Sequence, residues 1–194
     1  MKKIIFIDID ETLVYSHARI YVRDKNTNKI IKKLTNTEFN TYQPKENEYF
    51  TYEEFQDSNL FVKTSIPNIK MIELAKQLHK NENTEVCLLT ARSDFDNKEN
   101  VLRFFKNHGI NVGHYKNGEI HIIRSGNYKF ISNVARRKSY VIDKIIKKRN
   151  NEFKIIEMFD DSISNLNEFL RLSNKYKDKI FNAYLVNGEK IIKI

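Results

Sequence analysis

The chain has 194 residues, 40% of them hydrophobic and 30% charged, which suits one well-cored domain and excludes a disordered polymer. Its 34 Lys and Arg outnumber 25 Asp and Glu, giving a formal charge of +9 that reads either as a preference for polyanionic partners or as a solvated Lys-rich surface. A single cysteine, Cys87, rules out an internal disulfide framework and a Cys-rich zinc site.

The opening run Ile4-Ile5-Phe6-Ile7 is apolar, β-branched and aromatic, and predicts a buried strand of a parallel sheet. Preceded by two lysines, it imitates the start of a signal peptide. Asp8 ends it after four apolar residues, short of the ~7–15 of an h-region. No later run approaches the ~20 residues of a membrane span. The expectation is therefore a soluble, intracellular, cytoplasmic protein without a membrane partner.

Residues 15–65 differ in character, being rich in Tyr, Phe, Thr and Asn with little helical periodicity. Arg19–Arg23 and Lys29–Leu34 read as two strands around the polar turn Asp24–Asn28. The stretch is too long for a simple connection, so it is assigned to a small β-rich cap or flap inserted after the first strand. Residues 1–14 and 66–194 are assigned to the core.

A helix is predicted at about 67–80, opened by Pro67 and striped by Ile69, Ile72, Leu74, Ala75 and Leu78. Strand Glu85–Leu89 follows, then helix Asn97–Asn107 stopped by Gly109, strand Glu119–Ile123 and helix Lys138–Arg149. Strand Phe153–Phe159, helix Ser162–Ser173, strand Asn182–Val186 and a further strand at Lys190–Ile194 complete the pattern. Alternating strands and helices imply an α/β fold: a Rossmann-like, mostly parallel sheet flanked by helices. Ligands bind such sheets beyond the carboxyl ends of the strands.

Those ends carry chemistry. Asp8, Asp10 and Thr12 follow the first strand, Thr90 and Arg92 the second, and Asp160 and Asp161 the strand at Phe153–Phe159. Carboxylates crowded into one crevice repel and need a counter-charge. A hard divalent cation such as Mg²⁺ supplies it, and so does a lysine, which also holds phosphate. The densest basic segment, Arg136-Arg137-Lys138 with Lys144, Lys147, Lys148 and Arg149, lies shortly before the Asp160 strand.

The series Asp8-x-Asp10-x-Thr12 after a hydrophobic strand, then Thr90, then Lys138, then Asp160-Asp161 after another strand resembles the haloacid dehalogenase (HAD) phosphatase superfamily. The motifs span most of the chain and occur in the family's order. The resemblance implies a phosphomonoesterase in which Asp8 is the nucleophile and forms an aspartyl-phosphate. Asp10 would be general acid and then general base. Thr12 would support the loop by hydrogen bonding, close to the substrate. Thr90 would bind a phosphoryl oxygen, and Lys138 would neutralise Asp8 and the transferring phosphate. Asp160 and Asp161 would complete a Mg²⁺ site with Asp8 and the Asp10 backbone carbonyl. Lys129 and Lys144 are rivals for the lysine role. Glu11 stands where many members have Gly, a residue freer in its backbone angles.

The insert is similar to those of phage-type HAD proteins, especially around Leu34–Asn40, and the segment from Lys138 to Asp161 is loosely similar to the phosphatase half of polynucleotide kinase–phosphatases. Nucleotides or polynucleotide phosphate ends are thus the leading substrate class. A small phosphorylated metabolite, or a nucleotide-binding HAD module without turnover, are the alternatives.

Other residues carry two readings each. Arg92 either clamps a phosphate or base edge at the rim or pairs with Asp94 or Asp96. Tyr42, Tyr49, Phe50, Tyr52 and Phe55 either stack on bases or form the flap's own small core. His17, His79, His108, His114 and His121 show no metal-ligand spacing. Cys87 is expected in the core.

Overall fold

The computed structural model describes residues 1–113, 118–149 and 152–194. In chain order these form β1 (Lys3–Ile7), β2 (Val14–Tyr15), β3 (Ile20–Asp24), β4 (Ile30–Leu34), α1 (Asn36–Thr41), β5 (Glu48–Thr51), α2 (Ser58–Thr64) and β6 (Ile66–Pro67). They continue with α3 (Ile69–His79), β7 (Thr84–Thr90), α4 (Lys98–Asn107), β8 (Val112–Gly113), β9 (Ile120–Arg124), α5 (Val134–Lys148), β10 (Ile155–Asp160), α6 (Ile163–Leu170), β11 (Ile180–Asn187) and β12 (Lys190–Lys193).

Seven strands make the central sheet, in the order β12-β11-β10-β1-β7-β9-β8. All neighbours run parallel except β11 and β12, which pair antiparallel. Ile4 through Ile7 are fully buried because β1 is central and covered on both faces. Alternation along the strand divides them. Ile5 and Ile7 pack with Met71, Ile72 and Phe105 on one face, and Ile4 and Phe6 with Ile142, Leu166 and Phe169 on the other. The chain leaves β1 toward β7 on one side and reaches β10 on the other, so the order reverses at β1 and opens a crevice there.

The insert leaves and returns through a two-residue ribbon in which Val14 pairs with Pro67 and Tyr15 with Ile66. Between them β3 pairs antiparallel with β4, the two strands expected, and on its other edge with β5, a third strand that the sequence reading did not place. Ile20, Val22 and Leu34 form its small core with Phe39, Tyr42, Phe50 and Phe55 packed against it.

Several expected boundaries move. The helix expected from Pro67 starts at Ile69, because Pro67 lies in the ribbon and the Asn68 side chain caps the Met71 N–H at 3.4 Å. The helix expected from Lys138 begins at Val134, one turn earlier, capped by Asn133 on Arg136 N–H at 2.9 Å. The helix expected to run to Ser173 ends at Leu170 and tightens into a 3₁₀ turn over Arg171–Asn174. The insert also holds two short helices. Thr35 and Glu38 form a reciprocal capping box at the start of α1, and Asp57 caps α2. Phe61 of α2 is buried among Phe95, Phe104 and Phe105, which joins that end of the insert to the main core. No helix among the described residues is long and apolar enough to cross a membrane.

Asp143 ties α5 to the segment before β11, accepting hydrogen bonds from Lys175 Nζ and the Tyr176 hydroxyl, both at 2.6 Å, and an ion pair from Lys147 at 2.9 Å. Partial burial works to raise this carboxyl, but the three donors overcome it and hold it at about 2. A depressed acid contributes stability that is complete above its unfolded value of 3.8 and is lost as pH falls toward about 2. Asp143→Asn is therefore expected to flatten the wild type's stability loss between pH 4 and pH 2, read by urea unfolding at each pH. Parallel curves for the two proteins would contradict it.

Candidate active site

The loop after β1 alternates. Ile9 and Leu13 are fully buried beneath it, and Leu13 and Val14 both donate to the Ile9 carbonyl, at 2.9 and 3.0 Å. That pins the loop and leaves Asp8 and Asp10 in the wall of a cavity of about 910 Å³ between the flap and α5. Asp8 N–H donates to the Phe159 carbonyl at 2.9 Å, so the ladder to β10 persists to this residue and brings Asp8 beside Asp160.

Lys138 links the two acids. Its Nζ donates to Asp8 Oδ1 at 2.6 Å and to Asp160 Oδ2 at 2.8 Å, and the residue is 1% exposed. Helical spacing explains its placement: Ala135, Lys138, Val141 and Ile142 share the buried stripe of α5. Asp160 Oδ1 accepts from Ser162 N–H at 2.9 Å and Asn165 Nδ2 at 2.8 Å, so α6 and Lys138 fix the direction of the carboxylate while Oδ2, which takes only the Lys138 ammonium, keeps a lone pair for a cation. The rival lysines lie elsewhere. Lys129 is exposed on a loop at the cavity wall, and Lys144 sits over the rings of Tyr128 and Tyr140 at 5.3 and 5.6 Å.

Burial pushes the Asp8 carboxyl well above its ordinary value, and the Lys138 charge only partly opposes this. Burial also works against the Lys138 ammonium, but Asp160 and Asp8 outweigh it and push that group up, so it stays charged. Asp161 is pushed up to about 7, first by burial and then by its neighbour Asp160. Asp8, Asp160 and Asp161 each bring a carboxylate oxygen within 4.8 Å of the others. Three acids against one ammonium leave negative charge in excess, and this all-oxygen donor set suits a hard cation.

Asp10 stands apart from that set. Arg92 Nε donates to both of its oxygens, at 3.1 and 2.9 Å, and Nη2 to Oδ1 at 2.6 Å. Arg92 also donates to the Phe55 carbonyl at 3.0 Å and to Ser16 Oγ at 2.8 Å, and its guanidinium lies 4.7–5.3 Å from the rings of Phe55, Phe61 and Phe95. Neither expectation for Arg92 holds. At 3% exposure its donors are already engaged within the protein, so it is no clamp at the rim. Asp94 pairs instead with Lys98 and Arg124, and Asp96 accepts from Ser58 N–H. The carboxylate of Asp10, assigned to the metal by resemblance only through its backbone, is thus held by Arg92.

Two threonines also need correction. Thr12 is fully buried and its Oγ1 has no hydrogen-bond partner, so it neither touches the cavity nor bonds the loop through its hydroxyl. Thr90 is fully buried under the cavity rather than in its wall. Its Oγ1 accepts from Arg92 N–H at 3.0 Å and lies 3.5 Å from Asp10 Oδ2, an arrangement that supports the Asp10–Arg92 pair.

Glu11 adopts φ 59, the left-handed region where Gly is favoured and other residues are strained by about 1–2 kcal/mol. Its Oε1 accepts from Ser16 N–H at 3.2 Å and Asn36 Nδ2 at 3.0 Å, joining the loop to the flap. Ser162 and Asn165 escaped the sequence reading. A serine cap two residues after Asp160, with an asparagine in the first turn it caps, was the signal that marks them. Cys87 is buried in β7 and burial pushes its thiol up, as a core cysteine requires. His79 and His108 bond to backbone carbonyls, while His114 lies outside the described residues. A second cavity, of about 480 Å³ between α2 and α4, gathers no carboxylate among its lining residues.

No family model matches the chain, and no curated protein matches it. Among solved structures it is similar to the Legionella pneumophila effector Ceg4, at 18% identity and a TM-score of 0.50, over 97% of this chain and 88% of that one. At that identity the likeness bears on the fold alone.

Proposed function

We propose that this protein is a Mg²⁺-dependent phosphomonoesterase of the haloacid dehalogenase type, acting on nucleotides or polynucleotide phosphate ends through an aspartyl-phosphate on Asp8. The observation that carries the reading is the buried Lys138 joining Asp8 to Asp160 at the floor of a large cavity, with Asp161 beside them. A structural ion pair needs no cavity and no third carboxylate. A phosphoryl-transfer site needs all of these, because its catalysis is mostly positioning and charge stabilisation.

Lys138 occupies Asp8 Oδ1 and leaves the other oxygen for attack on phosphorus. As the new Asp8–phosphorus bond forms, the ester bond breaks and its electron pair leaves on the alcohol oxygen, which takes a proton from Asp10. A water then gives its proton to Asp10 and attacks the phosphoaspartate, releasing inorganic phosphate and restoring Asp8. Arg92 and Thr90 fix the direction of the Asp10 carboxylate for both transfers. The start of α5, at Asn133–Ala135, lies in the cavity wall, and its first-turn N–H groups favour an anion there. Asp8, Asp160 and Asp161 would hold the Mg²⁺, which supplies neutralisation of their charge and of the phosphoryl oxygens. The net charge of +9 supports a nucleotide or polynucleotide as the alcohol half.

The test is phosphate release with Mg²⁺ and with EDTA from 3′- and 5′-phosphorylated oligonucleotides, mononucleotides and an aryl phosphate. Release that requires Mg²⁺ is expected, with Asp160→Asn raising the Mg²⁺ concentration needed for half-maximal rate by about tenfold or more. Release indifferent to EDTA, or none from any substrate by folded protein, would overturn the reading. Salt-sensitive binding of oligonucleotides without turnover would replace it with a binding module.

A further inference from the structure

The cavity has a second cationic feature, away from its carboxylate floor. Arg137 precedes Lys138 on α5, so its side chain leaves the helix about 100° away from the lysine that meets Asp8. It lines the same cavity. Its Nε is buried without a hydrogen-bond partner, and among the described residues its side chain makes no ion pair. Glu53, the acid on the facing flap, is already paired with Arg23 at 2.9 Å. A guanidinium nitrogen shut away from water without an acceptor is unfavourable, and an incoming acceptor relieves it.

The wall opposite is aromatic. Tyr52 stands edge-to-face with Phe39 and Phe55, at 6.1 and 6.4 Å, and all three line the cavity. Phe39 and Phe55 pack on the flap core, but Tyr52 remains 45% exposed. Tyr52 and Arg137 are joined by lining this one cavity, the ring from the flap and the guanidinium from α5. An accessible ring and an unpaired guanidinium lining one cavity are a combination that recognises a planar base and an anion together.

We propose that Arg137 and Tyr52 form a subsite for the alcohol half of the substrate, Arg137 taking a second phosphate group and Tyr52 stacking on a base. The ligand is thus a nucleoside carrying two phosphates, whether a free nucleoside bisphosphate or the terminal nucleotide of a polynucleotide. The inference rests on the phosphomonoesterase reading, which places the first phosphate over Asp8 and Lys138.

Equilibrium binding to the Asp8→Asn protein with Mg²⁺ tests it. The probes are a nucleoside 3′,5′-bisphosphate, the two corresponding monophosphates, ribose 5-phosphate and a phosphorylated oligonucleotide. The bisphosphate is expected to bind about tenfold or more tightly than either monophosphate. Arg137→Ala should erase that ratio, Arg137→Lys should keep part of it, and Arg136→Ala, on the exposed neighbour, should keep all of it. Tyr52→Ala should narrow the gap between nucleoside 5′-monophosphate and ribose 5-phosphate. Tighter binding of the oligonucleotide than of the bisphosphate would assign the polymer as ligand, and the reverse the free nucleotide. Equal affinity for bis- and monophosphates, or an Arg137→Ala loss shared equally by both, would overturn the subsite. If wild-type protein releases no phosphate while the ratio and its Arg137 dependence persist, the hydrolase reading fails and the subsite stands.

Discussion

Asp8→Asn is expected to lower the rate of phosphate release by about four orders of magnitude or more while leaving the protein folded. An amide is a poor nucleophile, and no other described carboxylate can take the place of Asp8. Asp160 is fully buried with both oxygens engaged, Asp10 is held by Arg92, and Asp161 follows the end of β10. The fold should survive because an asparagine oxygen still accepts from Lys138, and the change removes one negative charge from a pocket that has too many. Steady-state phosphate release and urea unfolding of the same preparation check both halves. Activity within tenfold of wild type would remove Asp8 from the nucleophile role.

Lys138→Met is expected to cost about 3–5 kcal/mol of folding stability, together with all measurable turnover. Methionine keeps most of the volume but strips the cation from between two buried carboxylates, Asp8 and Asp160, which then face each other unpaired. The contrast with Lys144→Met separates the rival lysines. Lys144 lies on the exposed side of α5, its ammonium over Tyr128 and Tyr140, and its loss should change stability by no more than about 1 kcal/mol. Urea denaturation of the two variants gives the comparison. Equal, small losses would show that the buried bridge does not hold the floor of the site together.

The acids of the floor were readable in the sequence because each ends a strongly apolar run, and an apolar run in an α/β chain is a buried parallel strand. Ile4–Ile7 leads to Asp8 and Ile155–Phe159 to Asp160, and the sheet places those two strands side by side. Lys138 was readable only through its place in the motif order, with Lys129 and Lys144 as rivals, because as the first residue of a helix it has no face; the start of α5 at Val134 is what puts it on the buried stripe. Arg92 was not. Its neighbours in sequence are Asp94 and Asp96, whereas its partner, Asp10, is 82 residues away and comes within reach only because β7 pairs with β1. Thr12 failed for a related reason. A threonine one turn past the strand end looks available to a ligand, but the tight loop that presents Asp8 and Asp10 turns its hydroxyl into the core. The two helices of the insert, of six and seven residues, are too short to show a period, so only their caps, Thr35 with Glu38 and Asp57, mark them. Arg137 reads in sequence as one of three consecutive basic residues. Only the fold separates it from Arg136 in solvent and Lys138 in the floor.

The most direct measurement is acid-quench trapping of the phosphorylated protein during turnover of a phosphorylated oligonucleotide or mononucleotide, followed by peptide mass mapping. The account predicts an acid-stable, base-labile phosphoryl group on the peptide that carries Asp8, formed only with Mg²⁺ and absent from Asp8→Asn. Phosphate released with no trapped group, or a group mapped to any other residue, would contradict it.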